Sequence, residues 1–271
     1  ITQPAVSNAL ARLRTHFEDP LFVREGRGVK PTAMAEALMP AVRDALDRLR
    51  AGLEPRSVFE PSRSTRVFNI SARDAGAFMI APRLARRLQD VAPGVRISWT
   101  QLNRGAISTE LASGRLDLAI DVPGIRGTDL EREPLMTTPY VCVVSEDHPA
   151  AQEPLTFETF IALRHVVVSS RREGRSYVEE VARSHGARIT PVMRLPHYMP
   201  ALEIVRHTDL ALTVPALLTQ SPGLVAHELP GVFPQLDSEL YWRRENSEDA
   251  ALSWLRALIL DAAAGLDMPD G

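Results

Sequence analysis

ITQPAVSNALARLRTHFEDPLFVREGRGVK, residues 1–30, holds the pattern from which the rest of the chain is read. At a helical period Val6, Leu10, Leu13 and Phe17 fall four, three and four residues apart, making one narrow apolar stripe between Thr2 and Glu18. The other face carries Pro4, Ser7, Asn8, Ala11, Arg14 and Thr15, short or polar apart from one long cation. A helix with such a face can bring its backbone close to a partner, as a DNA major groove requires. Thr2 has the side chain to cap this helix, and Pro4 sits in the first turn, where its missing N–H costs nothing. An amphipathic helix of an α-helical bundle would show the same stripe, so the neighbouring residues decide. LFVREGRGVK, residues 21–30, reads as two short strands around Glu25-Gly26-Arg27-Gly28, with the glycines supplying the tight turn. Arg24, Arg27 and Lys30 stand on or beside that hairpin, placed to neutralise phosphates flanking a groove.

Charge supports a local DNA face. The 271 residues carry a net charge of -3, which argues against a wholly cationic nucleic-acid binder. Residues 1–30 hold five cations against three acids. Cys142 is the single cysteine, which excludes an internal disulfide and fits a reducing compartment. ALSWLRALILDAAAGL, residues 251–266, is broken by Arg256 and Asp261 and is too short to span a bilayer. With no export leader visible, the expected location is cytoplasmic.

Beyond the hairpin, Thr32 can cap a helix running to about Arg50, with Leu38, Val42, Ala45 and Leu49 at heptad-like spacing. This stripe suits pairing with a second chain or packing on its own domain, and Pro40 predicts a kink or early break. Residues 54–65, EPRSVFEPSRST, read as a hinge. From Arg66 strands and helices alternate: strand 66–71, helix 74–89, strand 95–102, helix 106–113, strand 116–120. A second set follows Pro139, with strand 140–145, helix 156–162, strand 165–170, helix 176–185 and strand 209–215. Strand 238–244 and helix 248–266 return to the first set. The fold class is therefore α/β, with parallel sheets expected from the alternation. The domain division is 1–31 for DNA binding, 32–53 for a linker helix, 54–65 for the hinge, and 66–271 for a two-lobed unit. Its first lobe covers about 66–138 and 238–271, and its second about 139–237.

Ligands in open α/β sheets bind beyond the carboxyl ends of strands, so a cleft between the lobes is the expected small-molecule site. Ser71, Arg73 and Asp74 lie where the first strand gives way to a helix, as caps or as ligand contacts. Gln101 and Arg104 follow the second strand, and Ser169 and Ser170 end HVVVSS in the other lobe. Asp117 reads as a strand-start residue. No GxSxG, HExxH, paired CxxC, GxGxxG or Walker-type loop occurs, and the seven histidines are scattered. These absences leave no catalytic residue, metal ligand or cofactor site to nominate.

TQPAVSNALARLR followed by DPLFVREGRGVKPTAMAEAL resembles the recognition helix and wing of LysR-type transcriptional regulators, in the branch of nodulation and aromatic-catabolism regulators. LARRLQDVAPGV, SGRLDLAI and DLALTVPALL extend the likeness over nearly the whole chain. The resemblance implies a partial winged helix-turn-helix, a dimerising linker helix, and an effector domain similar to type II periplasmic binding proteins. It places DNA contacts at Thr2, Gln3, Pro4, Ser7 and Arg12, with wing cations at Arg24, Arg27 and Lys30. His197 and Tyr198 match the family's second-lobe ligand segment. The partners implied are double-stranded DNA, a small-molecule effector for which an aromatic compound is one expectation, and further copies of the chain as dimer or tetramer. The family has two helices before this one, so a chain truncated within the motif, with poor specific DNA binding, is the expectation. The alternative is a solute-binding protein of similar two-lobed fold.

Overall fold

The computed structural model describes residues 2–26, 28–53, 59–169, 174–219, 222–264 and 266, with 43–44 and 47–53 as backbone alone. The chain divides into two compact units, residues 1–57 and 58–271.

In the first unit α1 spans Gln3–Phe17. Thr2 takes the cap position, but its side chain makes no cap hydrogen bond, contrary to the sequence expectation. The reason is local. Pro4 has no N–H to give, and the Ala5 N–H donates to the carbonyl of Thr2 itself at 3.1 Å. No residue of α1 is buried, and Val6 and Leu13 are about half exposed at 54% and 46%. The helix ends at Glu18 in the left-handed region, and Asp19 then accepts from the Leu21 N–H and the Thr32 hydroxyl, both at 2.6 Å. One carboxylate thus ties the end of α1 to the start of the next helix. Between them β1 (Phe22–Glu25) and β2 (Gly28–Pro31) pair antiparallel, with Gly26 at φ +61° in the turn. Thr32 caps α2 (Ala33–Leu53) as expected, accepting from the Ala35 N–H at 3.2 Å. The break expected at Pro40 does not occur. Pro40 and Glu36 are both exposed, so the carbonyl that loses its donor faces outward and the rest of the helix continues.

The second unit holds two five-stranded sheets. The first is ordered β4-β3-β5-β12-β6, from β3 (Val67–Ala72), β4 (Arg96–Thr100), β5 (Leu118–Asp121), β6 (Leu130–Thr138) and β12 (Leu236–Arg243). Helices α3 (Asp74–Val91), α4 (Arg104–Ala112) and α8 (Ala250–Ala264) accompany it. The second is ordered β11-β7-β10-β8-β9, from β7 (Tyr140–Ser145), β8 (His165–Val168), β9 (Met193–Leu195), β10 (Ala211–Pro215) and β11 (Leu224–Glu228). Its helices are α5 (Phe157–Ala162), α6 (Tyr177–Ser184) and α7 (Tyr198–Arg206). The chain passes from one sheet to the other at Pro139 and again between β11 and β12.

Both sheets are mixed, which corrects the parallel expectation. β3 runs parallel to β4 and β5, but β12 is antiparallel to β5 and β6, and β7 is antiparallel to β10 and β11. A strand arriving from the other lobe is not bound by the right-handed βαβ crossover that makes neighbours parallel. Buried Phe68, Ile70, Ile80, Leu84, Leu118 and Leu255 centre the first lobe. α3 serves both lobes, because Ala75 and Met79 near its start pack with Val143, Val166, Leu202 and Leu212 of the second. Arg66 clamps the rear of the first lobe, 3.0 Å from Asp249 at the start of α8 and 3.7 Å from Asp117 before β5. Asp117 also accepts from the Asn69 N–H at 2.7 Å, which makes it a structural residue.

Candidate functional site

Two sites follow from this architecture. On α1, Gln3, Pro4 and Ser7 share one face with Arg12 on its flank, and all four are exposed together with Thr2. Arg24 on β1 is exposed too. Lys30 on β2 lies 3.6 Å from Glu25, with both side chains more than half in solvent, so the pair constrains the lysine weakly. Arg27 lies outside the described residues.

The second site lies where the start of α3 in the first lobe meets the start of α7 in the second. Asp74 is the first residue of α3, yet its carboxylate accepts the backbone N–H of Tyr198, the first residue of α7, at 2.6 Å. His197 Nδ1 stands 3.8 Å from the same oxygen. A carboxylate at a helix N-terminus gains from the unpaired N–H groups and the helix dipole. The charge of Arg73, next to Asp74 in the chain, favours the ionised forms of the Tyr140 and Tyr198 phenols against the upward push of burial. Arg73, Asp74, His197 and Tyr198 therefore form one group drawn from both lobes.

The other expected positions fall differently. Ser71 is buried at the end of β3, and its hydroxyl accepts from the Leu102 N–H at 3.3 Å, holding the ends of β3 and β4 together. Gln101 is exposed. Arg104 turns into its own lobe and donates to the carbonyls of Val122, at 2.7 Å, and Pro123, so its guanidinium braces a loop there. Ser169 is half-buried, and its N–H donates to the carbonyl of Leu195 at 2.8 Å, which sets it beside the segment leading to His197. Ser170 lies outside the described residues.

The structure adds residues that sequence reasoning missed. Tyr140, Tyr177, Tyr198, Ser176 and Thr213 line a small cavity of about 20 Å³ in the second lobe, with Val166 and Val168 among the apolar groups. The Tyr140 and Tyr177 rings stack at 4.4 Å and 23°. Burial pushes the Tyr140 and Tyr198 phenols above their ordinary range. Tyr177 donates to the carbonyl of Pro234 at 2.5 Å, and Ser176 caps α6 by accepting from the Glu179 N–H at 3.4 Å. Thr213 differs: its hydroxyl is buried and has no hydrogen-bond partner among the described residues. Leaving a buried hydroxyl unmatched costs about 1–3 kcal/mol. The sequence held one signal for it, a hydroxyl residue inside the otherwise apolar run ALTVP.

A helix with a small polar face beside a basic hairpin, joined to a two-lobed α/β unit, defines a DNA-binding regulator with a ligand-sensing domain. Residues 61–264 match the LysR substrate binding domain, and residues 1–36 match the bacterial regulatory helix-turn-helix protein of the lysR family. The chain belongs to the LysR family of bacterial transcriptional regulators, a family of regulators and not of enzymes. It is 36% identical over 265 residues to the HTH-type transcriptional activator NahR of Pseudomonas putida, covering 96% of this chain and 88% of that one. Nodulation protein D 2 of Sinorhizobium fredii is 29% identical over 275 residues, covering 99% and 88%. The crystal structure of the probable transcriptional regulator PA0477 from Pseudomonas aeruginosa superposes with a TM-score of 0.76 at 33% identity, covering 99% of this chain and 89% of that one. Membership decides against the solute-binding alternative. Among the described residues no helix is long and apolar enough to cross a membrane.

Proposed function

We propose that this regulator reads DNA through Thr2, Gln3, Pro4, Ser7 and Arg12, with Arg24, Arg27 and Lys30 on phosphates, and senses an aromatic small molecule between its lobes. The ligand contacts come from Arg73, Asp74, His197 and Tyr198, with Ser71, Gln101, Ser169 and Ser170 around them and Arg104 as a brace. The observation that carries this reading is the Asp74–Tyr198 hydrogen bond of 2.6 Å, because a ligand group arriving at that junction competes directly for the contact that joins the lobes. The relatives named as an activator of transcription and as a nodulation protein favour a gene-regulatory response. The three tyrosines favour a planar ring. α2 pairs two chains, supported by apolar Val42 and Leu46 standing about half exposed along it. Like other DNA-binding regulators it acts in the compartment that holds the chromosome, the cytoplasm.

Calorimetric titration of the chain with benzoates and phenols tests the effector site. Ser71→Ala and His197→Ala are expected to weaken binding about tenfold, the scale of one or two lost hydrogen bonds. Wild-type affinity in both variants would remove the strand-end group from the site.

A further inference from the structure

We propose that Asp19 is a positioning residue for DNA recognition: its carboxylate fixes the angle between α1 and the β1–β2 hairpin, so that base-reading side chains and phosphate-binding cations engage one duplex together. The proposal rests on the reading of the first unit as the DNA-binding part of the chain. It adds to that unit a residue that acts on recognition without touching DNA.

The first unit has little apolar core to hold its elements at a fixed angle. Among its described residues only Leu21 and Ala35 are fully buried apolar side chains, and α1 buries none. Polar contacts must therefore set the geometry, and they converge on Asp19. Its Oδ1 accepts the Leu21 N–H and the Thr32 hydroxyl, both at 2.6 Å, while the Thr32 oxygen in turn accepts the Ala35 N–H at 3.2 Å. The two buried residues are thus the two whose N–H groups the Asp19–Thr32 pair holds. Leu21 itself needs holding, because its φ of +59° lies in the left-handed region that favours glycine while its buried position calls for a side chain. A bulky residue keeps such a backbone only where neighbouring contacts fix it. Residues 19 and 32 also bracket the hairpin. Phe22 pairs with Pro31 at its base, the Thr32 N–H donates to the Leu21 carbonyl at 2.9 Å, and Arg14 of α1 donates from Nε to the Pro20 carbonyl at 2.8 Å. Cutting the Asp19 bonds leaves the ribbon paired but free to swing on residues 18–21. Phosphates recur along every duplex and can be met at many hairpin angles, whereas base edges carry the sequence and are met at one. A loosened joint therefore lowers preference for one sequence and spares affinity for DNA in general.

The test compares the full wild-type chain with Asp19→Ala and with Asp19→Asn, whose amide oxygen still accepts both bonds. Spin labels on Asn8→Cys and Val29→Cys, both at exposed positions, report the distance from α1 to the hairpin by pulsed dipolar spectroscopy. Cys142 is buried, with its thiol pushed up to about 12, and stays unlabelled. The expected result is one narrow distance in wild type and Asp19→Asn and a broadened distribution in Asp19→Ala. The unlabelled proteins are then titrated with a duplex that wild type enriches from a random library and with a mixed-sequence duplex of the same length. Asp19→Ala is expected to lower the ratio of the two affinities about tenfold with the salt slope unchanged, and Asp19→Asn to stay within about twofold of wild type. Where circular dichroism shows that Asp19→Ala has lost helix, Thr32→Val, which cuts one of the two bonds and leaves Leu21 held, takes its place with the same expectations. A narrow distance or an unchanged affinity ratio in the alanine variant overturns the positioning role and leaves the DNA reading standing. So does an equal loss on both duplexes, the mark of a merely structural residue. Enrichment of no duplex by wild type overturns both.

Discussion

Asp74 stands at the first position of α3, where a carboxylate ordinarily serves its own helix, and it reaches instead across the lobes to Tyr198. A charged hydrogen bond of this kind is worth about 1.5–3 kcal/mol, enough to bias lobe arrangement without locking it. His165 is a purely structural counterpart at the same scale. Its Nε2 lies 2.8 Å from the carbonyl of Phe160, its Nδ1 has no partner among the described residues, and the ring packs edge-on to Phe160 at 4.8 Å. Burial lowers its pKa from the ordinary 6.5, against the opposing pull of the Phe160 carbonyl. A histidine depressed in the folded state binds fewer protons there than when unfolded, so the stability it contributes is complete above 6.5 and declines as pH falls through that value. His227 is lowered as well, by burial and then by the charge of His148, and adds to the same window. The carboxylates act lower. In Glu179 burial pushes upward but is outweighed by the Ser176 hydrogen bonds and by Arg194, so its contribution fades only below 4.5. The thermal midpoint is therefore expected to drop between about pH 7 and 5, and His165→Gln, which keeps a donor for Phe160, to flatten that drop. An identical slope in the variant would show that other groups set it.

Among the elements, the proposed DNA face divides between the β1–β2 hairpin and α1. If the hairpin cations contact phosphates, which carry charge and no sequence, Arg24→Ala is expected to weaken binding to every duplex by a similar factor and to reduce the slope of log K against log salt by about 1. Gel shifts with unrelated duplexes at several salt concentrations check this, and an unchanged slope would remove Arg24 from the phosphate contacts. Legibility differed from element to element for physical reasons. β7 spans Tyr140–Ser145 as the run YVCVVS indicates, because a continuous β-branched stretch after proline admits little else. β6, LEREPLMTT, escaped notice because charged residues and Pro134 interrupt its period, and proline is tolerated there since β6 is an edge strand. α7 carries Pro200 in its first turn, where the missing N–H costs nothing, so a proline there is compatible with a helix start and gives no local sign of the helix that follows.

For the whole molecule, the two units differ in what they bury. Among the described residues of 1–57 only Leu21 and Ala35 are fully buried apolar side chains, while the second unit closes several apolar clusters. Burying one leucine or phenylalanine contributes about 1.5–3 kcal/mol, so cooperative stability resides in the second unit. A fragment of residues 59–271 is expected to melt within about 3 °C of the main transition of the full chain, and a fragment of residues 1–53 to show no cooperative melt of its own; calorimetry of the three checks this. A large loss of midpoint in the longer fragment would mean that the first unit stabilises it. The sequence by itself determined the strand-helix alternation, the basic hairpin beside a small-faced helix, and the family, since each is written in local period, turn chemistry and residue order. Tertiary structure alone decided that both sheets are mixed, that Arg104 turns inward, that Asp74 serves the helix of the opposite lobe, and that Thr213 lies among three tyrosines. Those facts depend on which residues distant in the chain are brought within about 3–4 Å, and hydrogen bonding and packing at that range have no signature in local period.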